Sequence, residues 1–453
     1  MRTKQKANIL IISVLRRKRM KPVFMLQVFL ISIALFLQPF VAFGIDTETQ
    51  KMADTGTIGG EIPEMCGGCL HVFLTEKMGY TDNFYNSDAN KDDDFVILGN
   101  PGIWFMLPGE TERLSMSPTS PITPGGAVYG NYRSGNFDRM QAYLFYSPEF
   151  ETYGHHTEEN TINQTAEGLF NYRFSSGLAI GASNQFIHAY DERGTGDYYY
   201  ETNKFNTNLL RVNMSYPVTN KTDLRMNYAH YYVDYTADRN NYRDRADNSA
   251  TLSVFHKLFG ETSIFGEYEF VRLSYDEKNE NDSDEHHFFG GIQWDATEKS
   301  TASIKAGWQI KDFKETDDQE DNFFLEILLN YEITPRSSIN LAGVRRLAES
   351  DTIANNYSLY HTVSATYAQT IADKISGNLQ MYLTDNEYKR FDTVVSVVEE
   401  RDDTFYGVVA SLDYAFTPWL SAGVEYSYKQ CDSNLSNFDY TTNIVMFQLD
   451  ISL

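Results

Sequence analysis

The most tempting chemistry in the sequence is Cys66-Gly67-Gly68-Cys69, which holds two of the three cysteines. A haem-attachment site needs a histidine directly after the second cysteine, but Leu70 stands before His71. A zinc site would need a second cysteine pair, which the sequence lacks. A thioredoxin-like redox pair needs a βαβ setting that the neighbouring residues do not offer. The reading that survives is a local disulfide between Cys66 and Cys69, formed in an oxidising compartment. Cys66 also lies too far beyond the N-terminal apolar run to be a lipoprotein cysteine, and Cys431 has no obvious partner.

His155-His156 and His286-His287 lie among acids near expected loop ends. Adjacent residues of a strand point to opposite faces, so neither pair easily shares a metal. Solvated loop histidines are the plainer expectation. Four acid clusters stand out: Asp92-Asp93-Asp94; Asp282 with Asp284-Glu285; Asp317-Asp318 with Glu320-Asp321; and Glu399-Glu400 with Asp402-Asp403. Each taken singly reads as solubilising loop charge. As a group they suggest Mg²⁺ or Ca²⁺ bridging to lipopolysaccharide phosphates, since hard cations take oxygen ligands. None has the spacing of a dedicated calcium loop. No spacing pairs a serine or aspartate with a histidine in a way that singles out a nucleophile. An outer-membrane hydrolase is therefore the weaker reading, and no catalytic residue, cofactor or resident metal is assigned.

The elements that would position these residues follow from composition and pattern. The 453 residues hold 38 Lys+Arg against 62 Asp+Glu, a net charge of −24. A nucleic-acid binder would need the opposite balance to displace counterions. Hydrophobic residues make up 42% of the chain, too many for a disordered polymer, and aromatic residues 14%. An acidic chain this rich in Tyr and Phe suits a β-protein whose rings face something other than a deep core.

Residues 1–44 read as a signal peptide. Lys21 introduces an apolar run to Leu37, closed by the small residues around Val41-Ala42-Phe43-Gly44. Arg16-Arg17-Lys18-Arg19 makes the stretch ahead of it long, so Met20 is a second candidate start. A retained N-terminal membrane helix is the alternative. Cleavage after Gly44 would take eight basic residues and no acid, moving the net charge from −24 to −32. Residues 45–69 then form a short periplasmic segment. No later apolar run is long enough for a spanning helix, so any membrane insertion must use strands.

From about residue 139 onward the chain alternates apolar and polar residues in strand-length segments. Very short connections such as Gly260-Glu261 and Thr417-Pro418-Trp419 alternate with longer acidic ones such as 279–284, 316–321 and 391–403. Connections sorted in this way mark a transmembrane barrel, with turns periplasmic and loops outside. Sixteen strands from there, with two more near 70–80 and 95–107, give an all-β, antiparallel up-and-down transmembrane β-barrel of about 18 strands spanning 70–453. The Pro- and Gly-rich stretch 108–137 breaks the rhythm where a tight turn is due. It is expected to be a periplasmic insertion folding into the barrel mouth, or else an extra irregular hairpin.

The last three strands show the pattern best. Leu412, Tyr414 and Phe416, then Val424 and Tyr426, then Val445, Phe447 and Leu449 form one face. Apolar centres with aromatic ends suit lipid and its headgroups. The opposite faces carry Asp413, Glu425, Lys429, Gln448 and Asp450, which are the candidate lumen-facing residues of a water-filled interior.

Three stretches carry a family resemblance: Gly79-Tyr80-Thr81-Asp82-Asn83-Phe84-Tyr85; Asp94-Phe95-Val96-Ile97 followed by Asn100-Pro101-Gly102-Ile103; and Tyr426-Ser427-Tyr428 with Asp432-Ser433-Asn434 and Asp439-Tyr440-Thr441-Thr442-Asn443. Together they resemble the putative beta-barrel porin 2 family of outer-membrane proteins, across roughly 70–453. Leu453 departs from the Phe that commonly ends such barrels, and 108–137 looks inserted. The resemblance implies a pore-like outer-membrane barrel associated with exopolysaccharide systems, serving passage or export of polysaccharide or small solutes. A non-conducting structural or assembly barrel is the alternative. Outer-membrane lipid, lipopolysaccharide, the barrel-assembly machinery and polysaccharide-export components are the implied partners, with no nucleic acid and no catalytic residues.

Overall fold

The computed structural model describes residues 68–109, 113–114, 116, 119–127, 139–197, 201–297, 299–316, 318–390 and 400–453. The segment 1–44 and Cys66 lie outside the described residues, and so does most of 45–69.

Strands β1 (Leu70–Thr81) and β2 (Asp94–Leu107) precede the insertion. After it come β3 (Met140–Tyr153), β4 (Thr161–Arg173), β5 (Ala179–Tyr190), β6 (Lys204–Thr219), β7 (Thr222–Tyr235) and β8 (Arg245–Phe259). Then follow β9 (Thr262–Tyr275), β10 (Ser283–Thr297), β11 (Ser300–Phe313), β12 (Gln319–Thr334) and β13 (Ser337–Glu349). The last are β14 (Tyr357–Ala372), β15 (Ile375–Lys389), β16 (Asp402–Thr417), β17 (Leu420–Ser433) and β18 (Tyr440–Ser452). Each strand pairs with its neighbour in sequence, and β18 returns antiparallel to β1 from Phe73↔Ser452 to Thr81↔Ile444. The result is a closed 18-stranded up-and-down barrel. Among its described residues the insertion contributes an isolated bridge between Thr119 and Ala127 and no strand of the barrel.

One end of the barrel carries tight connections at 220–221, 260–261, 335–336, 373–374 and 418–419. The other carries the longer ones at 82–93, 191–203, 236–244, 350–356 and 390–401. Both Leu70 and Leu453 lie at the first end, here named the turn end, opposite the loop end. Closure explains why the sequence can span lipid at all, since ladder groups find their partners inside the sheet along nearly all of the wall. The pleat delivers the expected faces: Leu412, Tyr414, Phe416, Val424, Phe447 and Leu449 are all exposed outward.

Two features differ from expectation. The inner faces are not simply wet, because Trp104, Tyr143, Tyr231, Phe255, Phe265 and Phe289 are buried on them. The β12–β13 ladder also stops at Leu325↔Arg345, although β11 still pairs with β12 as far as Gln319 and β14 with β13 as far as Glu349. Beyond that last rung β13 parts from β12 alone: it stays paired with β14, and its end is drawn toward the lumen, where Leu347 N donates to Gln309 Oε1.

A filled lumen as the candidate functional site

The five residues chosen from the sequence fall on strand faces opposite the exposed ones, in the β16–β18 sector. At the turn end Asp450 accepts from Thr75 Oγ1 at 2.7 Å and from Gln448 Nε2 at 2.7 Å. Asp413 lies within the electrostatic reach of Asp450, Glu425 and Lys77. Three acids against one lysine make this part of the inner wall negative. Lys429 sits nearer the loop end and forms an ion pair with Glu192 of the 191–203 connection.

The insertion is an internal segment rather than a cap at the mouth. It leaves β2 at Leu107, at the turn end. Leu114 packs against the inward cluster of Trp104, Met106, Tyr143, Phe145 and Leu169, and the Arg113 guanidinium lies 4.4 Å from the centre of the Phe145 ring. Residues 119–127 then fold back on themselves, Ser120 N donating to Gly126 O at 3.0 Å. Gly125 N donates to Asp247 Oδ2 at 2.9 Å, and Arg245 Nη2 donates to Thr123 O at 3.2 Å. Glu349 N donates to Ile122 O at 2.8 Å. Arg245 opens β8 and Glu349 closes β13, both at the loop end. The described residues of the insertion are therefore found inside the barrel both toward the turn end, at 113–114, and at the loop end, at 119–127. Only glycine fits the tightest contact: Gly126 has a φ of +77°, and an added Cβ would lie 2.1 Å from the Tyr231 ring.

Beside this hairpin runs a buried ionic network that the sequence reading missed. Lys311 Nζ bridges Glu285 Oε1 at 2.8 Å and Glu349 Oε1 at 2.6 Å. Tyr275 OH donates to Glu349 Oε2 at 2.5 Å. His287 spans Glu285 at 2.8 Å and Glu269 at 3.0 Å. Buried charges are tolerated only when paired in this way. Glu285 and His287 are thus not loop groups; each sits on the inner face of β10, while His286 between them faces outward to the Tyr268 hydroxyl at 2.8 Å. The signal was available as Glu285-x-His287, an acid and a base on one face of a strand. Asp94 is likewise not solvated charge: its carboxylate accepts the backbone N–H of Gly154, His155 and His156 at 2.9–3.0 Å. Glu320 and Asp321 are consecutive residues of β12 and so face opposite ways, which argues against their sharing one ion.

At the loop end the connection 350–356 folds over the lumen. Lys278 Nζ donates to Ile353 O at 3.2 Å and to Asn355 O at 2.6 Å, and Tyr242 OH donates to Asp351 O at 3.0 Å. Arg401 pairs with Asp403 at 2.6 Å and donates to Gly196 O at 3.2 Å. Below this lid, against the 119–127 hairpin, a cavity is lined by Arg211, Glu269, Phe289, Lys305, Phe324 and Arg346, among others. Cys69 is disulfide-bonded, and the Cys431 thiol is free and buried.

A closed barrel with a lipid-compatible exterior and a charged interior that houses its own inserted segment is the architecture of a porin-like outer-membrane protein. The chain belongs to the family described as Putative beta-barrel porin 2, whose model matches residues 128–453. Of the three stretches that carry the resemblance, only the closing one at 426–443 falls inside that match; β1, β2 and the 119–127 hairpin precede it. Among solved structures, Pseudomonas aeruginosa OccK3 (OpdO) is similar at 10% identity with a TM-score of 0.41, covering 85% of this chain and 95% of that one. Acinetobacter baumannii OccAB3 is similar at 8% identity with a TM-score of 0.43, covering 86% of this chain and 100% of that one. No curated protein matches.

Proposed function

We propose that the protein is a passive, internally constricted pore of the outer membrane, with the loop end outside. The observation that carries this reading is the 119–127 hairpin, held to the inner wall by hydrogen bonds from Gly125 and Arg245 and to Ile122. A barrel of this strand number has room for an aqueous channel, and an internal segment narrows it. The cargo proposed is a hydrophilic solute, saccharides included. The acids Asp413, Glu425 and Asp450 favour neutral or cationic solutes over polyanions at the turn end.

Liposome swelling with neutral sugars of graded size tests the proposal. Purified barrel should admit small sugars and exclude larger ones, with the cut-off rising when 119–127 is deleted. Sugar-impermeable liposomes in both cases would reject it. A second reading, a non-conducting structural or assembly barrel of an exopolysaccharide system, is favoured by the packed lid at 350–356. Outer-membrane lipid, lipopolysaccharide, the barrel-assembly machinery and polysaccharide-export components are proposed as partners.

A further inference from the structure

The barrel wall is not sealed along its whole height. In β12, Gln319–Phe324 have their β11 partners but no ladder partner on the β13 side. Open strand edges do not persist in contact with hydrocarbon, because no solvent satisfies their N–H and C=O groups. Across this seam Arg345 Nη1 donates to Phe323 O at 2.6 Å, a side chain standing in where the ladder has ended. The end of β13 is held inside the lumen instead. Leu347 N donates to Gln309 Oε1 at 3.0 Å, and the Glu349 carboxylate bonds Lys311 and Tyr275. The same Glu349 donates its N–H to Ile122 of the internal hairpin. Seam and hairpin are therefore mechanically joined.

The two banks of the seam differ in chemistry. On the β12 side Phe323 faces outward in edge contact with Trp308, their centroids 5.2 Å apart. On the other side, past Arg345 of β13, the outward face runs from the exposed Val363 to His361 on β14 and on to Asp385 and Glu387 on β15, nearer the loop end. The potential ligand atoms of these last three lie within 4.8 Å of one another. Directly behind the last closed rung lies the largely polar cavity below the lid, with an apolar patch of Phe289, Phe324 and Leu347 beside Lys305, Glu326 and Arg346. An apolar surface below, a polar cluster above and a cavity behind fit a molecule with an apolar chain and a polar head.

We propose that the seam between β12 and β13 is a lateral portal, clasped by Arg345, through which the apolar chain of an amphipathic molecule in the loop-end leaflet reaches the apolar patch of the lumen, its head resting on His361, Asp385 and Glu387. This goes beyond passive passage along the barrel axis and does not depend on it. The internal hairpin, by holding Glu349, keeps the end of β13 clear of the β12 edge.

The test uses the full barrel reconstituted in bilayers of phosphatidylcholine brominated along its acyl chains, which quench a nearby bimane label. In a Cys431→Ser background, bimane is placed at Leu347→Cys or Phe324→Cys behind the seam. The control is Thr207→Cys, inward on β6, which is fully paired to β5 and β7 there. Heat-modifiable migration of each variant shows that the barrel is closed. Quenching at either seam site should exceed that at Thr207 about twofold or more, as expected for lipid entering a broken ladder. Arg345→Ala should raise it further. Equal quenching at all three sites overturns the portal. So does protection of both seam sites accompanied by capture of a second strand on the β12 edge, which would make the seam a docking edge for protein.

Discussion

Lys311 shows most clearly how single residues hold this interior together, because it pairs with two fully buried carboxylates at once. Lys311→Met should cost about 3–5 kcal/mol, the typical result of breaking a buried pair from one side. The measurement is the denaturant midpoint of the heat-modifiable band. Arg336→Met, which removes the exposed pair with Asp373 at 2.7 Å, should cost less than about 1 kcal/mol. In the 236–244 connection, burial pushes the Asp244 carboxyl up to about 6, and Asp234, Asp276 and Glu277 add to it against the amide bond from Tyr235. Above that pH the folded state carries a buried charge that the unfolded chain solvates. As pH falls through 6 toward the ordinary 3.8, the folded form takes up the proton first and stability rises. Hydrogen exchange at 236–244, corrected for intrinsic rates, should therefore slow between pH 7 and pH 5, and Asp244→Asn should remove that dependence. Such roles were hard to see in sequence. Glu285 reads as one more acid of a loop cluster until the start of β10 is known, and its partners Lys311 and Glu349 are far away along the chain.

Among the elements, the internal hairpin is the one whose removal should change behaviour most while leaving the wall intact. Gly126→Val forces a side chain against the inward Tyr231 ring of β7 at a positive φ, so it should dislodge the hairpin while every strand residue is unchanged. Limited proteolysis between 119 and 127 should then become rapid, whereas the wild-type barrel resists. The strands themselves were legible, because alternation and sorted connections are local signals: expected strands near 70–80 and 95–107 are β1 and β2, and the 260–261 turn falls in place. The place of 119–127 inside the barrel was not legible. A Pro- and Gly-rich run has no period, and its anchors Arg245, Asp247 and Glu349 lie on strands more than a hundred residues further along the chain. The parting of β13 from β12 was hidden for the opposite reason. Its sequence remains strand-like to Glu349, and only the missing partner of β12 reveals it.

For the molecule as a whole, the proposed pore should select by charge. The acids Asp413, Glu425 and Asp450 share one sector of the inner wall at the turn end, with Lys77 among them. Reversal potentials in a salt gradient should show a preference for cations. The triple change Asp413→Asn, Glu425→Gln and Asp450→Asn should move the reversal potential toward zero or past it, while Asp373→Asn at an exposed turn should leave it unchanged. The decisive measurement is single-channel conductance in planar bilayers of the heat-modifiable wild-type barrel beside the same barrel lacking 119–127. A constricted pore predicts a small, steady wild-type conductance that increases several-fold on deletion, in proportion to the cross-section released. If both folded proteins prove electrically silent, the lumen is closed by its own walls and lid, and the barrel is not a pore.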